Sequence, residues 1–205
     1  LTTLYLIRHG QSEANVKHII QGQSEYPLTN LGIRQAELAA RSLQYIHFDK
    51  VYSSDLNRAF RTAEIIADPL KMKPQGMEEL REVFLGPLEN KPRGDILAEY
   101  PELQHRSFVT SGIPGTETFD AISARCLKLM RHWHENHEGE TILAVSHGGF
   151  ISIFLMYLIA GDGWHQWNRI FNIDNTGITK VFFDEMGQAK IHFTNNTAHI
   201  QEHMQ

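Results

Sequence analysis

The chain has 205 residues, a net charge of −5 and a hydrophobic fraction of 41%, the size and balance of a soluble α/β-sized unit with ample core. It has no basic run, which argues against a nucleic-acid groove, and its one cysteine, Cys126, excludes an internal disulfide and suits a reducing compartment. No charged leader precedes the first apolar segment, and the longest apolar run, near 150–160, is too short for a bilayer span. The expected setting is therefore cytoplasmic, with neither membrane nor nucleic acid as partner.

An apolar strand, Thr3 to Arg8, opens the chain and runs into Arg8-His9-Gly10. After a polar loop, Thr29 or Asn30 caps a helix whose apolar positions recur at helical spacing to about Ile46. Residues 50–53 form a short second strand, and Ser54 or Asp55 then caps a helix that Asp68-Pro69 ends. Residues 70–117 hold five of the seven prolines and predict one short helix near Asp95–Tyr100. This stretch reads as a loop and helix excursion over the sheet edge, a lid or substrate wall. A long helix follows, Thr118 to His137, then a buried strand from Glu140 to Ser146 and a helix from His147-Gly148-Gly149 to about Ile159. Ile178–Phe183 and Lys190–Phe193 form a terminal hairpin. The alternation predicts a three-layer α/β/α sandwich in one domain spanning 1–205, with a mostly parallel sheet and an antiparallel edge strand from the hairpin.

Two strands end in His-Gly: Arg8-His9-Gly10 and Ser146-His147-Gly148. Parallel strands put both ends at the carboxyl edge of the sheet, where open α/β folds bind ligands. Gly148-Gly149 opens a helix, whose N-terminus favours an anion, and Arg58 follows the second strand by about one helical turn. Arg8, Arg58, His9, His147 and a helix N-terminus at one edge describe a dianion pocket. A phosphomonoester calls for such a pocket, because enzymatic accelerations approach ~10²¹, or roughly 28 kcal/mol. His9 in neutral form is the candidate nucleophile, and a carboxylic acid must protonate the leaving alkoxide. Glu82 is a candidate for that role; Glu78, Glu79 and Glu89 compete, and spacing does not choose among them.

Other chemistry-bearing residues have blander readings. His132, His134 and His137 suit a solvated helix end rather than a metal site. Cys126 reads as an inert core thiol, Trp164 and Trp167 as core or dimer packing, and Arg34 and Arg61 as helix surface. Asn175-Thr176 reads as a strand-entry turn.

The ordered set Arg8-His9-Gly10 with Ser12 and Asn15, Gln21-Gly22, Pro27-Leu28-Thr29, Ser53-Ser54-Asp55-Leu56 with Arg58-Ala59 and Thr62-Ala63, Leu80-Arg81-Glu82 with Gly86, Gly115-Thr116-Glu117-Thr118, and Ser146-His147-Gly148-Gly149 resembles the histidine phosphatase superfamily, the phosphoglycerate-mutase-like proteins. The resemblance spans nearly the whole chain. It implies a metal-independent, cofactor-free phosphatase in which His9 is phosphorylated and Glu82 donates the proton. Arg8, Arg58 and His147 join them in the catalytic set. Gly10, Ser12, Asn15, Gln21, Gly22 and Gly148 are the implied phosphate- or substrate-binding set. The segment between Glu82 and His147 is short, and its basic residues show no tight cluster, while Phe84, Leu85, Tyr100 and Phe108 are apolar. These features resemble the broad-specificity and ribazole-phosphate phosphatases, acting on a small-molecule phosphate ester as monomer or homodimer. A cofactor-dependent mutase and a non-catalytic phospho-ligand module are the alternatives.

Overall fold

The structure, a computed structural model, describes residues 1–201. In chain order the elements are β1 (Thr2–Arg8), α1 (Glu13–Val16), α2 (Asn30–Leu43), β2 (Lys50–Ser53), α3 (Asn57–Ala67), β3 (Gln75–Gly76), α4 (Arg93–Glu99), α5 (Phe119–Asn136), β4 (Thr141–Ser146), α6 (Gly148–Ala160), β5 (Ile178–Phe183), β6 (Ala189–Asn196) and α7 (Ala198–Gln201), with short 3₁₀ turns between several of them. The six strands form one sheet in the order β3-β2-β4-β1-β5-β6. β3, β2, β4 and β1 are parallel, whereas β5 runs antiparallel to β1 and β6 antiparallel to β5. The mostly parallel sheet with a C-terminal antiparallel edge is as the sequence predicts. Among the described residues no helix is long and apolar enough to cross a membrane.

β1 sits centrally, so both of its faces are buried, and its side chains alternate between two cores. Leu4 and Leu6 pack with Ile142 and Ala144 against α5 and α6, through Ile122, Leu129, Trp133, Phe150 and Phe154. Tyr5 and Ile7 pack with Leu143 and Val145 against the alanine-rich faces of α2 and α3. The small residues Ala36, Ala39, Ala59 and Ala63 let those two helices lie close to the sheet, and all four are fully buried. Cys126 lies in the first core, where burial pushes its thiol up to about 12.

Several boundaries differ from expectation. α2 ends at Leu43, three residues early. α3 has no side-chain cap, and Leu56 occupies its N-cap. α3 begins only at Asn57, so Ser54 and Asp55 precede its N-cap: the Ser54 hydroxyl meets His147 Nε2 at 2.8 Å and accepts from the Leu56 N–H, and Asp55 is held by the Arg81 guanidinium at 2.6 and 2.5 Å. β3 was not expected; two residues are too few for a periodicity to show. His137 is not a solvated helix end. It is buried, its Nδ1 lies 2.6 Å from Glu140 Oε2, and its Nε2 lies 3.1 Å from the Tyr52 hydroxyl. Trp164 is buried and donates to Ser123 Oγ, whereas Trp167 is partly exposed. Arg34 and Arg61 lie on helix surfaces, paired with Glu37 and Glu64.

The loop after β1 approaches α2 so closely that two glycines are required. A Cβ on Gly32 would lie 2.1 Å from the Gln11 carbonyl oxygen, and one on Gly10 would lie 2.3 Å from that of Gly32. Gly94 in α4 has open space around it. Gly32→Ala should therefore lose about 1–3 kcal/mol, and Gly94→Ala should gain up to ~1 kcal/mol from helix propensity. Urea-unfolding midpoints compared at constant m check both signs.

Candidate active site

Strand register builds the site. Arg8 pairs with Ser146 across β1 and β4, and Ser53 pairs with Val145 across β2 and β4. The next residue of each strand therefore turns out at the same edge, bringing His9, His147 and Ser54 together. The His9 and His147 rings lie 5.1 Å apart by centroid. β5 enters from that edge because it is antiparallel to β1. The Thr176 N–H donates to the Arg8 carbonyl at 3.0 Å, and Asn175 Nδ2 donates to the His9 carbonyl at 3.0 Å. Thr176 has φ +56°, a left-handed conformation costly for a β-branched residue, and it is held by complete burial and by its contact with His199.

His9 is buried, with Nδ1 2.7 Å from the Gly10 carbonyl oxygen. A carbonyl only accepts, so Nδ1 carries the hydrogen and Nε2 carries the lone pair. Burial first, then the charges of Arg58 and Arg8, hold His9 well below the usual imidazole range, and it is neutral at pH 7. His147 is depressed in the same way, by burial, then Arg58, then His9. Its Nε2 meets Ser54 Oγ, and its buried Nδ1 has no partner. Ser54 Oγ accepts from the Leu56 N–H and has one hydrogen with which to donate to Nε2; in that tautomer Nδ1–H is an unused donor.

The two guanidiniums are held by carbonyls. Arg8 donates to the Ile173 carbonyl at 2.6 Å, and Arg58 to those of Gly22 and Ser24 at 2.7 and 2.8 Å. Each leaves its buried Nε without a partner. Burial, followed by the charge of Arg169, pushes Arg8 down to about 10, still charged at neutral pH. Thr62 joins the two limbs: its hydroxyl accepts from the Gly10 N–H and donates to the Arg58 carbonyl.

These groups surround a cavity of about 270 Å³ whose wall includes Arg8, His9, Asn15, Gln21, Gly22, Arg58, Glu82 and Gly148. Of the four competing carboxylates, Glu82 is the one on this wall. Its two oxygens accept from the Val83 and Gly149 N–H groups, both at 3.0 Å. Glu78 and Glu79 pair outside with Arg81 and Lys128, and Glu89 is occupied by Gln23, Ser24 and Leu85. The Gly149 N–H thus serves Glu82 rather than an anion. A Cβ there would lie 2.6 Å from Glu82 Oε1.

Two expected binding residues stand behind the wall. Ser12 is fully buried as the N-cap of α1, in a capping box with Asn15, and its hydroxyl donates to Gln21 Oε1. Gly10 spends its N–H on Thr62 and its carbonyl on His9. Both position their neighbours. Asn175 likewise touches Asn15 and the His9 carbonyl from behind. Sequence reasoning missed Arg93, Arg106 and Arg169 as cavity residues; the first two come from the segment between Glu82 and His147, whose basic residues showed no cluster in the sequence, and Arg169 comes from outside it. Arg169 precedes β5, and the antiparallel entry of that strand is the signal that places its preceding residues at the catalytic edge.

The sequence model of the Histidine phosphatase superfamily (branch 1) matches residues 4–197. The chain belongs to the histidine phosphatase superfamily. A probable phosphoglycerate mutase GpmB from Yersinia pestis (strain Pestoides F) is 34% identical over 187 residues, covering 89% of this chain and 85% of that one. A phosphoserine phosphatase from Entamoeba histolytica, solved in complex with phosphoserine, superposes with TM-score 0.79 at 28% identity over 98% of this chain and all of that one. A putative alpha-ribazole-5'-P phosphatase from Escherichia coli K-12 gives TM-score 0.83 at 28% identity, covering 96% and 97% of the two chains. This superfamily enzyme shares their α/β fold.

One arginine supports Glu82 from outside the cavity. Arg125 on α5 donates to the Glu79 and Arg81 carbonyls and to Glu117, and its guanidinium lies 4.0 Å from the Phe150 ring centre. Arg125→Met should lower kcat about tenfold or more through displaced Glu82, with a smaller change in KM; steady-state kinetics on one ester tests this. The histidines set a pH dependence. His9 and His147 are depressed when folded and return to about 6.5 when unfolded, so below that pH the unfolded state binds more protons. Stability contributed by their burial is present above about pH 6.5 and lost as pH falls toward the folded values. Urea midpoints between pH 7.5 and 5.5 should fall for the wild type and fall less for His147→Gln.

Proposed function

We propose that this enzyme hydrolyses small-molecule phosphate monoesters in two steps, through a phosphohistidine on His9 with Glu82 carrying the proton. The observation that supports this most is the His9 tautomer. Nδ1–H is committed to the Gly10 carbonyl, so the Nε2 lone pair belongs to a neutral imidazole flanked by Arg8, Arg58 and the unpartnered His147 Nδ1.

In the first step His9 Nε2 attacks phosphorus while the bond to the leaving oxygen breaks, and Glu82 gives that oxygen its proton. Arg8, Arg58 and His147 Nδ1–H meet the equatorial oxygens, and their positions are fixed before substrate arrives. In the second step Glu82 takes a proton from water as its oxygen attacks phosphorus. The P–N bond breaks and neutral His9 returns. Side chains and water suffice, with no cofactor. Asn15 and Gln21 border the phosphoryl region, and Leu85 and Phe108 supply apolar wall for the leaving group.

A mutase uses the same phosphohistidine and returns the phosphoryl group to a glycerate instead of to water; the 34% identity to a probable phosphoglycerate mutase keeps that reading in view. With p-nitrophenyl phosphate the enzyme should release phosphate whether or not EDTA is present, and His9→Ala should lose roughly 10³-fold or more. Glu82→Gln should lose about 10²–10⁴-fold on alkyl esters and less on p-nitrophenyl phosphate, whose leaving group needs little protonation. Activity that survives His9→Ala would overturn the phosphohistidine. Conversion of 3- to 2-phosphoglycerate without phosphate release would establish the mutase, and an absent phosphoenzyme with intact ester binding would establish the non-catalytic module.

A further inference from the structure

The cavity carries more positive charge than a phosphoryl group can use. Among the described residues five guanidiniums, of Arg8, Arg58, Arg93, Arg106 and Arg169, line it together with the single carboxylate of Glu82. A bound phosphoryl dianion offsets two of these charges, and Glu82 a third when it is ionised, so at least two remain.

Arg8 and Arg58 are the deep pair, buried and tethered to carbonyls. The other three arrive from separate segments: Arg93 at the first position of α4, Arg106 after the 101–105 turn, and Arg169 ahead of β5. Arg93 and Arg106 are exposed, which puts them at the mouth, and Arg169 is half-buried between mouth and floor. Arg93 is steered by the Phe108 ring, 4.7 Å from its guanidinium carbon, and Arg169 by the Phe171 carbonyl at 3.1 Å.

Several surface cations find carboxylates, Arg34 with Glu37, Arg61 with Glu64, Arg81 with Asp55 and Lys91 with Glu99, and exposed ones outside any ion pair, such as Arg41 and Arg131, stand on separate helix surfaces and do not converge on one cavity. None of the three mouth arginines has a carboxylate within ion-pair distance among the described residues, and the carboxylates that act on Arg169, those of Glu82 and Asp174, do so from beyond that distance. Three unpaired guanidiniums converging on one opening, on a chain of net charge −5, are not a solvated charge run.

We infer that the mouth of the cavity is a second anion subsite, in which Arg93, Arg106 and Arg169 bind a carboxylate or a second phosphate on the leaving group, so that the preferred esters carry two anionic groups. The inference rests on the reading of the same cavity as a phosphomonoester site. Guanidiniums suit either oxyanion, since both accept two parallel N–H donors. The subsite also gives the excursion a function: α4 and the turn after it supply two of the three cations, so the excursion selects the leaving group while the sheet edge performs the chemistry.

The test measures the second-order rate of phosphoenzyme formation by rapid quench, a step common to phosphatase and mutase. Three esters of matched carbon skeleton are compared: glycerol 3-phosphate, 3-phosphoglycerate and propane-1,3-diyl bisphosphate. At least one of the two charged esters should exceed glycerol 3-phosphate by about tenfold or more, the scale of one charge-assisted contact. The favoured arm names carboxylate or phosphate. Arg93→Gln and Arg106→Gln should each lower that ratio about tenfold, and Arg41→Gln on the far surface of α2 should leave it unchanged. A wild-type ratio near one, or a ratio untouched by both mouth variants, overturns the subsite while leaving the phosphohistidine standing. If no ester forms a phosphoenzyme, the reading of the chemistry falls instead. The ratio is then taken from calorimetric affinities of the His9→Ala protein for the same esters, and the same two outcomes decide the subsite.

Discussion

Like charges buried side by side are the constraint on which the site depends. Arg8 and Arg58 flank two neutral histidines, no carboxylate among the described residues pairs with either guanidinium, and burial lowers both arginines' affinity for a proton. Backbone carbonyls of Ile173, Gly22 and Ser24 hold them instead. A carboxylate would have neutralised the charge; a carbonyl dipole fixes the orientation and leaves the charge for the ligand. The cost of that arrangement falls on the surrounding fold, which must hold these groups in place with nothing bound.

That explains the density of ties behind the wall. Thr62 links the β1 loop to α3, Thr176 clamps the Arg8 carbonyl from a strained backbone, and the Ser12–Asn15 capping box fixes the loop that leads to Gln21. Gly10 and Gly32 let α2 close against the same loop. Removing any one of these ties changes where the cations sit rather than whether they exist. Glu82 is held differently, by N–H groups from its own loop and from the start of α6, and by Arg125 pulling on the carbonyls around it. Glu82 is thus positioned by the excursion and His9 by the sheet.

Such a division lets one part of the chain vary without disturbing the other. The alignment of His9 with His147 is fixed by the β1–β4 ladder, which is buried on both faces. The excursion meets the cavity through α4, the following turn and Phe108, and its surface residues are exposed. Relatives of the fold act on or bind chemically different phosphate esters by name, which fits chemistry placed on the sheet and selectivity placed on the excursion.

The sequence by itself determined the alternation of strands and helices, the two strand ends that present histidine, and Arg58 one turn into α3. Those are local facts: apolar runs, caps and breakers act over a few residues. It also placed the excursion but could not read it, because 3₁₀ turns and a two-residue strand carry no periodicity. Only the tertiary structure decided which of four carboxylates reaches the cavity, since that depends on Arg81, Lys128 and Ser24 holding the other three elsewhere. Only the tertiary structure assembled Arg93, Arg106 and Arg169, from positions up to 76 residues apart in the chain. It also placed Ser12 and Gly10 off the cavity wall, with their polar atoms bonded to neighbours. Arg8-His9-Gly10 is legible in the linear chain as the end of one strand; the groups that meet it in the cavity converge only across the fold.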